Sequence, residues 1–152
     1  MYVTRNILST VKNFIMQCPF IGESEIDFHV APSQAPPVHG NIDATLAYEG
    51  SYDVEITPEI TGEYNVARRE VFCIRLALLS SDSADFERLF AFIDNFQQWV
   101  DTMTAYGQAP TPDGCEIIKL WADNAVDGNT VATDSISRHT IRLHIVSKRS
   151  FQ

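Results

Sequence analysis

The sequence predicts an α+β fold: a mainly antiparallel sheet of four to six strands, packed with two main helices, in a single domain. Three observations predict it. The stretch "DSADFERLFAFIDNFQQWVDTMTAYG" repeats apolar residues at helical spacing. Residues 64–80 form a long strand whose end, "VFCIRLALLS", is apolar on both alternating sides except at Arg75. Shorter segments, such as "SYDVEITPEI" at 51–60, alternate apolar and polar residues as a half-buried strand does.

The first element is a helix in "TRNILSTVKNFIMQ". Ile7, Val11, Phe14 and Ile15 share one face, and Thr4 suits the N-cap. Cys18-Pro19 ends it, because the residue before a proline is pushed out of the helical region. "SEIDFHVA" follows as a strand, with Ile26, Phe28 and Val30 opposite Glu25, Asp27 and His29. Residues 31–42 form a Pro-rich loop that cannot keep a sheet ladder. "ATLAYEG" and "SYDVEITP" are two short strands, or one strand broken at Gly50-Ser51.

In the long central strand, Phe72, Ile74, Leu76 and Leu78 share one face, and Val71, Cys73, Ala77 and Leu79 the other. Such a strand is expected to be covered on both sides, at least near its end. Arg75 is the exception on the second face, and is expected to snorkel or to pair with an acid.

In the long helix, Phe86, Leu89, Phe90, Ile93, Phe96, Val100 and Met103 make the stripe. Phe92 and Trp99 widen it, as a broad core face or as a subunit interface. Asp82 or Ser83 can cap the start, and Gly107 can close the end. A Gly/Pro loop covers 107–114. "CEIIKLW" is a strand with Ile118 and Leu120 on one side and Ile117 and Lys119 on the other. "ADNAVDGNTVATDS" is a polar connection whose Asp127-Gly128 suits a tight turn. In the last strand Ile141, Leu143 and Ile145 face the core, and Arg138, Thr140, Arg142 and His144 face away.

A chain of 152 residues is long enough to bury a proper core as one domain. Its net charge of −9 opposes nonspecific binding to nucleic acid or to an anionic membrane. Arg5 and Lys12 interrupt any signal-peptide core, and no run reaches membrane-spanning length. The cysteines Cys18, Cys73 and Cys115 have no metal spacing, which fits free thiols in a reducing compartment. No phosphate-binding loop, His-Glu-x-x-His or nucleophile-elbow motif occurs. His139 and His144, five apart on one strand, point to opposite faces. The residues thus give no catalytic, cofactor or metal site, though catalytic groups can converge from distant positions.

Charge is segregated along the chain. Residues 13–67 hold no Lys or Arg but nine acids, among them Glu49, Glu55 and Glu59. Residues 135–152 hold Arg138, Arg142, Lys148 and Arg149 and no acid, and Arg68 and Arg69 follow the acidic tract. One reading is pairing between neighbouring strands of the same chain. The other is that the acidic side of one subunit meets the basic side of the next, a contact that can close into a ring. On that second reading the interface residues are Arg68, Arg69, Arg138, Arg142, Glu55 and Glu59, with Trp99 on the wide helix face.

The order of elements resembles the minor capsid or tail terminator proteins of tailed bacteriophages, especially those of phages infecting Gram-positive hosts. The likeness covers most of the chain. It is carried by "MQCPFIG" after the first helix and by "YDVEITPEITGEYNVARREVFCIRLALLS". It continues with "FQQWV" in the long helix, a Gly/Pro loop, "EIIKLW", an acidic turn and a final amphipathic strand. The chain departs from the pattern in one continuous helix from 82 to about 106, where relatives can show a break.

The resemblance implies a non-enzymatic virion protein, made in the host cytoplasm and built into the tail or neck. It implies a hexameric ring that caps the tail tube, stops its growth and docks to the head connector or stopper. The genomic DNA would pass through the lumen without specific binding, and no membrane or cofactor is involved. Another head–tail connector or tail tube component is the alternative, and a small intracellular enzyme or ligand-binding domain stands behind both.

Overall fold

The computed structural model describes residues 6–31, 35–58, 62, 64–110, 115–126 and 136–151. Helix α1 is Ile7–Met16, with Val11, Phe14 and Ile15 buried along the predicted stripe. Its N-cap is Asn6; Thr4, expected there, lies outside the described residues. Cys18 turns extended before Pro19, with ψ 118°, as a pre-proline residue must. Pro19 then opens a five-residue helix α2, Pro19–Glu23, that the sequence reading missed. One turn and a half is too short to show a period, and a proline costs nothing at the first helical position.

The sheet contains β1 (Ile26–His29), β2 (Ile42–Pro58), β3 (Tyr64–Leu79), β4 (Glu116–Val126) and β5 (Ile136–Phe151), in the order β1-β2-β3-β5-β4. The predicted α+β class is therefore observed, and the mainly antiparallel sheet has five strands, within the four to six expected. One pair departs from antiparallel: β1 runs parallel to β2, with Ile26 opposite Ile42 and His29 opposite Thr45. A parallel neighbour needs a connection of about a dozen residues, which the Pro-rich stretch supplies.

β2 is one strand, not two. Its ladder with β3 is irregular between Tyr48 and Gly50 and again between Tyr52 and Glu55. Gly50, at φ 140°, carries the first irregularity, and a Cβ there would meet the Tyr52 hydroxyl at 3.2 Å.

β3 is the central strand. Phe72, Ile74, Leu76 and Leu78 are fully buried against the helices, together with Ala44 and Leu46 of β2 and Ile141, Leu143 and Ile145 of β5. All three helices join this one core. On the opposite face, Pro36 and Val38 line a cleft over Ala77 and Leu79 at the end of β3. The Gly40 amide donates to the Leu79 carbonyl at 2.8 Å and ties that loop down.

Helix α3, Ser83–Ala105, follows. Asp82 caps it by accepting from the Ala84 amide at 3.0 Å. Gly107, at φ 68°, closes it, and the Gln108 amide donates back to the Met103 carbonyl at 2.8 Å. Leu89, Phe92, Ile93, Phe96 and Val100 are buried. The stripe is shifted from the prediction: Phe92 sits in the core, whereas Phe90 is 51% exposed. Phe90 stands on the flank of the helix, where its ring meets His139 edge-on at 5.4 Å instead of the core.

Two further expectations are corrected on β4. The strand runs on through Val126, so residues 122–126 are ladder rather than connection. The ladder also skips between Ile117 and Lys119. This shift puts Ile117 and Leu120 toward the core and leaves Ile118 55% exposed, so Ile118 and Leu120 do not share a face. The Asp127-Gly128 turn lies outside the described residues.

α3 also reaches β4 with polar groups. Thr104 Oγ1 donates to the Leu120 carbonyl at 3.1 Å, and Gln97 Nε2 to the Ala122 carbonyl at 3.2 Å. These bonds blunt a strand at the sheet edge, which would otherwise present a row of backbone groups to other chains.

Candidate interaction surface

The face of the sheet away from the helices is the surface where the charged residues of several strands meet. The ladder fixes which residues line up. Ala47, Cys73, Arg142 and Asp123 form one row across β2, β3, β5 and β4. Thr45, Arg75 and Thr140 form the next. Val71, His144 and Trp121 form a third.

Val71, Cys73, Thr140 and His144 are buried on this face although no described helix lies on it. Longer polar side chains cover them. Arg142 Nε donates to Glu49 Oε2 at 3.1 Å, between residues 93 apart in sequence. His144 Nε2 lies 3.0 Å from Asp123 Oδ2. The His144 ring stacks on Trp121 at 4.7 Å with 4° between planes, and Lys119 Nζ stands 4.8 Å from the Trp121 ring centre. Stacking of a polar ring and a cation on indole shields the strands beneath from water. Arg75 is exposed and forms no ion pair among the described residues, so the expected acid partner is not found.

The residues singled out in the sequence separate here. Arg142 is in an ion pair of its own subunit, as the first reading of the charge pattern has it. Arg138 lies on the same face, opposite Ala77, and is half-buried. Arg69 shares that face, and its guanidinium lies 5.5 Å from the Tyr52 ring centre. Arg68 points to the other side, opposite Ser147. Trp99 packs its ring on Phe14 at 4.7 Å and on Phe96 at 5.7 Å, inside the helix layer. Glu55 pairs through its backbone with Ala67. The Glu55 side chain and all of Glu59 lie outside the described residues.

His139 and His144 do face opposite sides: His139 points to the helices, where its Nε2 lies 2.9 Å from the Ser137 hydroxyl. Burial pushes the Cys73 thiol up, with Glu49 adding to the rise and Arg75 and Arg142 opposing it. Burial raises Cys18 as well. Neither thiol is therefore held as a nucleophilic thiolate. Among the described residues no group of three or more His, Cys, Asp or Glu side chains is placed to hold a metal ion. Among the described residues no helix is long and apolar enough to cross a membrane. This surface presents charged and hydrogen-bonding side chains on a continuous sheet.

The sequence missed the Trp121–His144–Asp123 group. Its only signal was the alternation of "LWAD" against "RLHI", which becomes informative once the register is known.

No family model matches the chain, and no curated protein matches it. Among solved structures, a chain from the virion of a native gene transfer agent particle is similar, with a TM-score of 0.52 and 11% sequence identity. The similarity covers 91% of this chain and 91% of that one. At that identity the likeness is one of fold: nearly the whole chain follows the path of a protein found in a virion.

Proposed function

We propose that this protein is a structural subunit of a phage-like virion, without enzymatic activity, and that within the particle it is the tail terminator. In that role it forms a ring, six subunits in the resembled family, at the head-proximal end of the tail. It stops growth of the tail tube and docks to the connector or stopper of the head. The observation that carries the reading is the shared fold over 91% of both chains with a virion component.

The charge layout supports the finer assignment. A net charge of −9 lets DNA pass a ring without sticking, because phosphate is repelled. Arg68, Arg69, Arg138, Arg142, Glu55 and Glu59 are the charged candidates for contacts between subunits, with Trp99 on the helix side; Arg142 also pairs with Glu49 of its own chain. A head–tail connector or a tail tube component is the second reading, favoured by the same fold likeness.

The mass of the purified assembly separates these. A terminator gives one closed species of fixed stoichiometry at every concentration above its assembly threshold. A species that keeps growing with concentration marks a tube protein, and a monomer at the highest concentrations overturns the ring.

A further inference from the structure

The two edges of the sheet are blunted by different devices. At β4 the helix α3 bonds two carbonyls. At the other edge the guard is β1, only four residues long, which pairs with Ile42–Thr45. β2 continues to Pro58, and among the described residues no strand pairs with the outer side of that continuation. A four-residue parallel strand is a weak guard, because parallel pairing is slightly less stable per residue.

His29, the last residue of β1, holds it. Its Nε2 lies 2.5 Å from Asp43 Oδ1 on β2, and its Nδ1 faces the Ala31 carbonyl at hydrogen-bond distance. A carbonyl oxygen only accepts, and an ionised carboxylate only accepts. A neutral imidazole has a single N–H and can satisfy one of the two. Both contacts are made together only when the His29–Asp43 pair holds one proton more than a neutral ring beside a carboxylate.

We propose that His29 is a proton-dependent clamp that pins β1 to the sheet, and that loss of its proton frees β1 and opens the outer edge of β2 from Ile42. This goes beyond the proposed function and does not rest on it. The charged groups near the ring on its face of the sheet are Asp43, Asp27, Arg75 and, in the row of Asp43 beyond Ala77, Arg138, whose charge opposes the protonated ring weakly at that distance. Asp43 on β2 and Asp27, two residues earlier on β1, favour the protonated ring. Arg75 stands in the ring's own row, beyond Thr45, about 10 Å away across two strand spacings, and opposes it weakly. The pairing with Asp43 raises His29 above its ordinary 6.5, with burial opposing and the Ala31 carbonyl and Asp27 adding. For a group raised on folding, the stabilisation is complete below about 6.5 and is lost as pH rises through the folded value. The clamp is therefore closed in mildly acidic solution and opens toward alkaline pH.

Amide hydrogen exchange of the wild-type protein, normalised at each pH to the unprotected rate, tests this beside an NMR titration of the His29 ring. The expected result is a ring protonated on both nitrogens at pH 6, titrating above 6.5, with β1 amides losing protection over the same range. Asp43→Asn should abolish the pH dependence of that protection. A ring that titrates at or below 6.5, or β1 protection that stays constant while His29 titrates, overturns the clamp. So does an Asp43→Asn protein that keeps the wild-type pH dependence.

Discussion

Phe96→Ala is expected to destabilise the fold by about 3–5 kcal/mol, the range for removing a buried aromatic ring. Phe96 is fully buried in the middle of α3. Its ring lies 5.8 Å from Phe92 and 5.7 Å from Trp99, and Trp99 in turn packs on Phe14 of α1. Removing it leaves a cavity in the aromatic cluster that joins α3 to α1. Transfer of the ring accounts for roughly 1.5–3 kcal/mol, and the cavity adds the remainder. A total stability of 5–15 kcal/mol is usual for a domain, so the variant keeps only part of its margin. Equilibrium denaturation measures the change. A midpoint indistinguishable from wild type would mean that α3 is not docked through this ring.

The second large effect is on assembly. Reversing Arg75 and Arg138 together to Glu changes the charge of the open sheet face by four units. Both lie on that face, Arg75 on β3 and Arg138 on β5. Arg142 is left in place, because Arg142→Glu would set two carboxylates together at the Glu49 contact and test folding instead. One exposed ion pair contributes only about 0–1 kcal/mol. A closed ring repeats the loss at each of its interfaces, so the expected outcome is a folded protein that no longer assembles. Sedimentation of wild type and variant at equal concentration, beside their circular dichroism, reads it. A folded variant that assembles as the wild type does would remove this face from the subunit contacts.

The sequence and the structure agree where a period is long enough to be read. The apolar face of α3 spans more than six turns, and β3 and β5 alternate over sixteen residues each, so their core faces were legible. Legibility fails where one residue changes the phase. The skipped position between Ile117 and Lys119 turns Ile118 outward, and no local residue announces it. It fails also for short elements such as α2, and for Phe90, where the width of a stripe depends on what lies across from it. The candidate surface was half legible. Arg138 and Arg142 of β5 were expected to share a face, and they do. That Arg142 reaches Glu49 over Cys73 could not be seen, because it needs the register of three strands at once. The parallel pairing of β1, on which the His29–Asp43 contact depends, is hidden for the same reason.

The central claim, that this chain is a virion subunit at the head-proximal end of a tail, is tested most directly by electron microscopy of the particle that encodes it. The account predicts a single ring of density between the tail tube and the head connector into which this fold fits, and unjoined heads with tails of irregular length when the gene is deleted. Finding the chain repeated along the tube would make it a tube protein. Intact, normal particles lacking the chain altogether would contradict the account.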